Sequence, residues 1–546
     1  MKAKKLVAIL LALVMVAALG AGCTKTQTTP PAQDQPTPKE PMVLRYNLGV
    51  EPETLDTAKM TGIPEFNAVL PALEGLTRIK ADGMPGPGMA YKWDISEGGT
   101  KYVFYLRDAK WSNGDPVTAH DFEFAWKRAL DPELAADYAY MLYHVKGAEA
   151  YNSGEGSVDD VAVRALDDKT LEVHLETNAP FFLDLCSFPT YMPVPSKVVK
   201  ANPDWHASAA TFVSNGPFKL TKWEHHSTLE YEKNPDYWDK DAVKLDKLVF
   251  YMVEESSTEL TMFETGQIDY ADNPPLPEID RLKAQGVFKV SSLIGTYYYI
   301  FNTEKPPLND WRVRKALTLA INRKDITEKV TKAGQIPALA WVPPDITDAK
   351  PGADFREVGG DYFKDNDIAT AKALLAEAGY PDGKGMPPIE ILYNTSEAHK
   401  AIAEVIQEMW KKNLGIENIT LTNQEWKVYL ATRDAGTFMI ARAGWIGDYN
   451  DPMTFLDMWV TGGGNNNSRW SNKEYDALVT KARLETDPVK RMEMLHQLED
   501  MLFADGAWPI MPIYYYVDSY LMKDYVKGVY ISPLGPIDFK HAWIDK

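Results

Sequence analysis

The chain has 546 residues, of which 45% are hydrophobic, and a formal net charge of −19 at pH 7. This length allows two or three folded domains, and the acidic excess argues against nucleic acid as a partner because phosphates repel an acidic surface. The chain contains two cysteines, which excludes a disulfide framework, so the fold must depend on its hydrophobic cores.

The first 22 residues are typical of a signal peptide. Three lysines within the first five residues precede an apolar run over 6–19, which is too short to span a bilayer comfortably. The run ends in Leu-Gly-Ala-Gly before Cys23, a pattern that resembles a bacterial lipobox. We therefore predict cleavage before Cys23, lipidation of Cys23 and an extracytoplasmic location, anchored to the outer face of the cell membrane. An ordinary signal peptide followed by an incidental cysteine is the alternative.

Residues 23–42 are predicted to form a disordered tether. They are rich in Thr, Pro, Gln and Lys and contain almost no apolar side chain that could pack. No later run of 18 or more apolar residues occurs in the sequence. The pattern predicts a folded body that hangs from the membrane surface by its lipid and does not span the bilayer.

The rest of the chain predicts a mixed α/β fold. Strands are predicted over 43–50, 102–106 and 171–175. Helices are indicated by capping residues and apolar stripes: one capped by Thr118 with Asp121 at the third position, one capped by Asp367, one carrying Ile402, Val405, Ile406, Met409 and Trp410, and one beginning at Asp487-Pro488. We interpret these stripes as core and assign them no further function.

Two aromatic, strand-like segments lie far apart in the sequence. They cover 297–302 and 510–517, and they bracket a block of about two hundred residues. Two strands that bracket such a block are typical of a two-crossover hinge between lobes.

The stretch from Ala441 to Pro452 combines a cation, an indole and two carboxylates with two glycines. A core strand would be continuously apolar and a surface strand would alternate, so neither explains this composition. One interpretation is a ligand-binding segment in which Asp448 accepts a hydrogen bond from a ligand cation. The other is a surface turn with an internal Arg442–Asp448 ion pair.

Motifs of catalysis are largely missing from the sequence. We find no phosphate-binding glycine loop, no G-x-S-x-G elbow and no H-E-x-x-H pair. The adjacent His225 and His226 would point to opposite faces of a strand and chelate poorly. We therefore predict no enzyme activity, no cofactor and no metal, while a paired-carboxylate site of a secreted hydrolase stays open as an alternative.

Four stretches carry a resemblance to a known family. Trp111–Phe122, Ser214–Phe218, Asn234–Trp238 and Pro306–Leu317 resemble signatures of the extracellular solute-binding proteins of family 5. The resemblance runs from about Val43 to the C-terminus. It implies a two-lobed periplasmic-binding-protein type II fold with mixed sheets, a two-crossover hinge and an extra inserted domain.

The resemblance also implies domain boundaries and a function. Domain I would comprise 43–65, 201–298 and 515–546, domain II the inserted 66–200, and domain III 299–514. Such a protein captures oligopeptides as a monomer and delivers them to the permease and ATPase subunits of an ABC importer. A family receptor for dipeptides, murein peptides or signalling peptides is the main alternative, and a nickel, haem or oligosaccharide receptor is less favoured. A surface adhesin that has lost transport is a third class.

Site residues follow from the same resemblance. The peptide would pair as a strand with Gly49, Val50 and Glu51 on one lobe and with Gly444, Trp445 and Ile446 on the other. Asp448 would accept the peptide ammonium, and cationic side chains at several distances would meet its carboxylate. The candidates for that role are Arg442, Arg433 and His399, with Lys400 as an alternative to His399.

Aromatic residues are expected to wall the side-chain pockets. The resemblance implies this role for Trp426, Trp445 and Tyr138, and for one ring among Tyr514, Tyr515 and Tyr516. Ile446 and Gly447 depart from the residues that the family pattern predicts, so the side-chain preference of one pocket is expected to differ.

Overall fold

The computed structural model describes residues 40–80, 84–272, 274–350 and 352–546. The predicted signal peptide, Cys23 and the predicted tether up to residue 39 lie outside the described residues. Residues Met42–Lys546 form one compact unit. Within the described ranges, no helix is both long enough and apolar enough to cross a membrane.

Strands occur along the whole described chain. They are β1 Val43–Asn47, β2 Thr77–Ile79, β3 Pro85–Pro87, β4 Ala90–Ser96, β5 Lys101–Leu106, β6 Val163–Asp167, β7 Thr170–His174, β8 Phe218–Glu224, β9 Thr228–Lys233, β10 Lys247–Tyr251, β11 Tyr270–Asp272, β12 Phe288–Phe301, β13 Ile336–Pro337, β14 Ile389–Asn394, β15 Ile419–Gln424, β16 Ile440–Ile446, β17 Ile510–Met522, β18 Val526–Lys527, β19 Tyr530–Ile531, β20 Ile537–Asp538 and β21 Trp543–Ile544.

Helices alternate with these strands. The α-helices cover Ile63–Val69, Ala119–Ala129, Ala148–Asn152, Phe182–Leu185, Ser196–Ala201, Ser256–Glu264, Ile279–Ala284, Trp311–Leu319, Arg323–Asp325, Phe355–Gly359, Ile368–Glu377, Glu397–Leu414, Trp426–Asp434, Met453–Leu456, Lys473–Leu484 and Pro488–Phe503. A π-helical turn, Ile326–Thr331, follows one of them.

The predicted helix starts are confirmed at the level of single hydrogen bonds. Thr118 and Asp121 form a reciprocal capping box at the helix Ala119–Ala129. The carboxylates of Asp367 and Asp487 accept hydrogen bonds from backbone N–H groups in the first turns of their helices. These caps form because each satisfies amide donors that no carbonyl within the helix can reach.

One large sheet passes through both halves of the molecule. Its order is β15-β14-β16-β12-β17-β11-β1-β10-β9-β8, with β13 beside β17. We call the part from β11 to β8 the first lobe and the part from β16 to β15 the second lobe. β12 and β17 pair antiparallel along most of their length and pass from one lobe into the other, with a register break between Ser292 and Thr296. The predicted mixed α/β, two-lobed architecture with a two-strand hinge is thereby confirmed.

A separate antiparallel sheet lies between β1 and β8 in the sequence. Its order is β4-β5-β7-β6, and the predicted strands over 102–106 and 171–175 are its β5 and β7. Side chains of the helix Ala119–Ala129 pack beside it, with Trp126 making ring contacts to Phe182 and Tyr191. This segment is the extra layer expected of an inserted domain, and the predicted domain boundaries stay predictions.

The first strand is shorter than predicted. β1 ends at Asn47 and does not reach Val50. Gly49 has a φ of 87°, which leaves extended geometry, and the amide oxygen of Asn47 accepts hydrogen bonds from the N–H groups of Gly49 and Val253. The side chain of Asn47 therefore ends the strand by holding a turn over 47–49.

Candidate functional site

A large cavity lies between the two lobes. It spans about 2300 Å³ of space, part of which is open to solvent. It brings together eleven of the twelve predicted contact residues, which are Gly49, Val50, Tyr138, His399, Trp426, Arg433, Arg442, Gly444, Trp445, Ile446 and Asp448. The cavity is therefore the candidate site.

Glu51, the twelfth predicted residue, does not line this cavity. Its Oε1 accepts a hydrogen bond from Trp223 Nε1 at 3.1 Å and lies 2.7 Å from His225 Nδ1. Its Oε2 accepts from the backbone N–H of His226 at 2.8 Å. The buried carboxylate thus ties the turn after β1 to the end of β8, and it gives the His225-His226 pair a structural role.

Asp448 lies just beyond the end of β16, at the wall of the cavity. Its Oδ1 accepts a hydrogen bond from the Tyr138 hydroxyl at 3.3 Å and its Oδ2 from the Thr454 hydroxyl at 3.2 Å. Burial raises the pKa of Asp448 well above its usual range. Among the described residues, no lysine, arginine or histidine forms an ion pair with it, so a cationic group of a ligand would be its first charged partner.

Arg442 does not form the ion pair with Asp448 that one interpretation of the sequence required. Its Nη2 donates to the Tyr516 hydroxyl at 2.8 Å and its Nη1 to Asn394 Oδ1 at 3.3 Å. The guanidinium lies 4.7 Å from the centroid of the Tyr297 ring. Neutral groups therefore hold this cation beside the cavity, which leaves its charge available to an anion.

The other two predicted carboxylate partners differ from Arg442. Arg433 Nε lies 3.4 Å from Asp434 Oδ1, so its charge is partly neutralised. Burial and the nearby Arg442 hold the pKa of His399 well below its usual range, which makes its imidazole neutral at pH 7. Lys400, the alternative to His399, is exposed and does not line the cavity.

The backbone beyond Ala441 in β16 is open on one side. β12 pairs with β16 from Phe301 to Gly295, whereas β14 pairs only with Ile440 and Ala441. The segment from Gly444 to Ile446 therefore presents a free strand edge next to the cavity. A free edge is a template for an added extended chain.

Gly444 has a specific steric neighbour. A Cβ at this position would lie 2.4 Å from the hydroxyl oxygen of Tyr516, which is closer than side chains tolerate. The glycine is therefore needed for the approach of Tyr516, which in turn binds Arg442. The absence of a side chain at Gly444 therefore serves a contact within the protein.

Two of the three consecutive tyrosines line the cavity. Tyr514 and Tyr516 face it and Tyr515 does not, because alternate residues of a strand point to opposite faces. The sequence predicted that one of the three rings lines the cavity, without saying which, and the structure shows that two of them do.

The predicted aromatic walls are fixed by hydrogen bonds of their indoles. Trp445 Nε1 donates to the carbonyl of Thr454 at 2.7 Å, and its ring stacks on Tyr138 with centroids 6.1 Å apart. Trp426 Nε1 donates to Glu65 Oε1 at 3.3 Å. Such held rings offer rigid apolar surface to ligand side chains.

Sequence reasoning missed an acidic group in the cavity wall. Glu259, Asp272 and Asp518 line the cavity, and burial raises the pKa of Asp272 to about 7 and that of Asp518 to about 6. Asp518 follows Tyr516 by two residues on the same strand, so strand alternation could have found it. In the part of the chain that the structure describes, no group of three or more His, Cys, Asp or Glu is arranged to hold a metal ion.

Known proteins with this sequence pattern are solute receptors. Residues 84–467 match the family described as bacterial extracellular solute-binding proteins, family 5. The chain is 43% identical over 511 residues to the oligopeptide-binding protein OppA of Bacillus subtilis, covering 92% of each chain. It is 42% identical over 506 residues to the dipeptide-binding protein DppE of the same organism, again covering 92% of each.

Solved structures share the fold. The structure of Haemophilus influenzae OppA in complex with RPPGFSPFR has a TM-score of 0.86 and 34% identity, covering 93% of this chain and 99% of that one. The unliganded open form of the murein tripeptide-binding protein MppA has a TM-score of 0.59 at 33% identity, with 92% and 98% coverage. The two lobes here are therefore arranged unlike that open form. The fold is the periplasmic-binding-protein type II fold, its relatives bind solutes and are not enzymes, and the chain belongs to the bacterial extracellular solute-binding proteins of family 5.

Proposed function

We propose that this protein is an extracytoplasmic receptor that captures oligopeptides between its lobes and delivers them to an ABC importer. The observation that carries the proposal is the buried Asp448 without a cation in the same cavity as Arg442 without a carboxylate. Every unblocked linear peptide has an ammonium at one end and a carboxylate at the other. The carboxyl group of Asp448 and the guanidinium of Arg442 complement those two groups, and the names of the relatives support the assignment.

Peptide backbone would be held by strand addition. The free edge from Gly444 to Ile446 supplies unpaired N–H and C=O groups, and the turn at Gly49 and Val50 faces the same cavity from the first lobe. Hydrogen bonds to backbone do not depend on side-chain identity. A receptor built in this way accepts many sequences.

A dipeptide is the competing ligand, since DppE is nearly as similar to the chain as OppA. The lining of the cavity extends beyond Asp448 and Arg442 to residues of β11 and β17, which favours longer peptides. Calorimetry with alanine peptides of two to six residues separates the two: we expect the tightest binding at three residues or more, and tightest binding of dialanine would contradict the proposal.

Asp448→Ala provides the direct test of ammonium capture. Loss of one partner of a buried charge pair costs about 3–5 kcal/mol, so we expect the affinity for trialanine to fall about a hundredfold or more by calorimetry. The matched control is Asp241→Ala, which removes an exposed carboxylate that does not line the cavity. N-acetylated trialanine, which has no ammonium, should bind both the variant and the unaltered protein weakly. A change of less than threefold for trialanine would contradict the role of Asp448.

We also propose that Cys23 is lipidated and anchors the receptor to the cell membrane. Support comes from the lipobox-like sequence and the polar segment that follows it. With Cys23→Ala, we expect the protein to lose incorporated palmitate and to leave the membrane fraction. Cys186→Ala is the control, because that cysteine is buried in the fold. Unchanged labelling of the Cys23 variant would exclude this anchor.

Delivery to a permease is tested by uptake of labelled trialanine in cells. Deletion of the partner permease should abolish receptor-dependent uptake. If the phenotype of losing the receptor persisted unchanged without the permease, an adhesin role would be favoured.

A further inference from the structure

Thr454 lies beside Asp448 on the interior side of the cavity wall. It belongs to the short helix Met453–Leu456 and is 1% exposed. Asp448 lines the large cavity, whereas Thr454 does not. A peptide in that cavity would therefore contact Asp448 without touching Thr454.

The hydroxyl of Thr454 makes two hydrogen bonds to this one neighbour. Its oxygen accepts from the backbone N–H of Asp448 at 3.0 Å, and its O–H donates to Asp448 Oδ2 at 3.2 Å. The backbone N–H supplies the hydrogen of the first bond, so the single hydrogen of the hydroxyl is left for the carboxylate. The backbone of Asp448 thus fixes the direction of the donor that its own side chain receives.

The short helix that carries Thr454 is itself held in place from outside. A helix of four residues cannot satisfy its own carbonyl groups. Three successive carbonyls instead accept hydrogen bonds from buried aromatic side chains: Thr454 from Trp445 at 2.7 Å, Phe455 from Trp341, and Leu456 from Tyr475 at 2.6 Å. These bonds restrict the position of the Thr454 hydroxyl.

The start of the same helix is tied to a neighbouring helix. Asp451 Oδ1 accepts a hydrogen bond from the backbone N–H of Met453 at 3.0 Å. Arg491, in the helix Pro488–Phe503, donates to both carboxylate oxygens of Asp451 at 2.7 and 2.8 Å. Both ends of the segment around Thr454 are therefore anchored.

The carboxylate of Asp448 keeps acceptor positions for a ligand. Its two oxygens offer about four lone-pair positions. The hydroxyl of Tyr138 takes one on Oδ1 and that of Thr454 takes one on Oδ2. Burial penalises the ionised carboxylate, and each donor opposes that penalty because a hydrogen bond to the charged form favours it.

We propose that Thr454 is a positioning residue for peptide capture, which orients the Asp448 carboxylate and favours its ionised form when the peptide ammonium binds. This inference rests on the proposed function. Thr454 does not line the cavity, so its effect on affinity acts through Asp448. The segment held by Trp341, Tyr475 and Arg491 gives its hydroxyl a fixed position from which to do so.

Thr454→Val tests this role, because valine keeps the shape of threonine and lacks the hydroxyl. By calorimetry on the purified protein, we expect the affinity for trialanine to fall about tenfold, since hydrogen bonds to charged groups are the stronger ones. Thr454→Ser keeps the hydroxyl and should bind within about threefold of the unaltered protein. The matched control is Thr461→Val, which removes an exposed hydroxyl that donates to Ser471 and does not line the cavity.

A double-mutant cycle separates this role from a general effect on the fold. Asp448→Ala removes the group through which Thr454 acts, so adding Thr454→Val to it should weaken trialanine binding by less than about twofold. Weakening by the same factor in both backgrounds would show that the hydroxyl supports the fold alone, and would overturn the inference. Binding by Thr454→Val within about threefold of the unaltered protein, or serine as weak as valine, would overturn it as well.

The two proposals fail in different ways. Failure of the unaltered protein to bind trialanine would overturn the proposed function and this inference with it. Tight binding that Asp448→Ala weakens and Thr454→Val does not would leave the proposed function intact and overturn the inference alone. If Thr454→Val does not fold, Thr454→Ser and Thr454→Ala decide the matter, because serine and alanine differ only by the hydroxyl. Equal affinities of those two variants would then overturn the inference.

Discussion

At the scale of residues, the cavity contains carboxyl groups that are costly to ionise. Burial raises the pKa of Asp448 well above its usual range, that of Asp272 to about 7 and that of Asp518 to about 6. Opening of the cleft would return these groups toward about 4, the ordinary value of a carboxyl. The closed form therefore binds protons more tightly than the open form. This contribution to closure is fully present below the open-form pKa and is lost as pH rises through the closed-form values.

We therefore expect acid to compact the ligand-free protein. Between about pH 7 and pH 4, small-angle scattering should show a falling radius of gyration. Asp448→Asn cannot titrate at this position, so its radius should depend less on pH. A radius that is independent of pH in the unaltered protein would contradict this linkage.

At the scale of elements, the two lobes are joined by more than the hinge strands. The hydroxyls of Ser256 and Ser257, in the first turn of the helix Ser256–Glu264, donate to the carboxylate of Glu397, the second of them at 3.0 Å. Glu397 begins the helix Glu397–Leu414 in the second lobe, where the helix N-terminus also favours a carboxylate. These hydrogen bonds form only when the lobes meet, so they stabilise the closed form.

Removal of both donors, in Ser256→Ala with Ser257→Ala, should weaken trialanine binding about twofold to fivefold, because exposed charge-assisted hydrogen bonds contribute little each. Calorimetry measures the effect. The control is Thr261→Ala on the same helix, whose hydroxyl donates only to the carbonyl of Ser257 within that helix. Equal affinities of the double variant and the control would show that this contact does not hold the lobes together.

At the scale of the whole molecule, binding and closure should be one event. We expect a bound peptide to stabilise the closed form, because only that form contacts the peptide from both lobes. We expect saturating trialanine at pH 7.5 to reduce the radius of gyration of the protein. Asp448→Ala at the same peptide concentration should remain expanded, and scattering unchanged by peptide in the unaltered protein would contradict hinge closure.

The sequence by itself determined the features that depend on neighbouring residues. Thr118 with Asp121, Asp367, and Asp487 with Pro488 marked helix starts correctly, since a cap acts within its own first turn. The long aromatic segments marked the two hinge strands because strands of that composition are buried on both faces. The unusual chemistry of 441–452 likewise marked the segment that lines the cavity.

Only the tertiary structure decided which distant groups meet. Arg442 donates hydrogen bonds to Tyr516 and Asn394. Glu51 binds residues at the end of β8 and does not line the cavity. Position 444 must be glycine because a Cβ there would collide with the hydroxyl of Tyr516, far along the chain. A second cavity, which borders the large one at Asp448, is lined by segments separated by hundreds of residues, so no local pattern predicts it. The physical reason is that caps and strand alternation are short-range properties, whereas burial, unpaired charge and steric fit arise only when separate segments pack together.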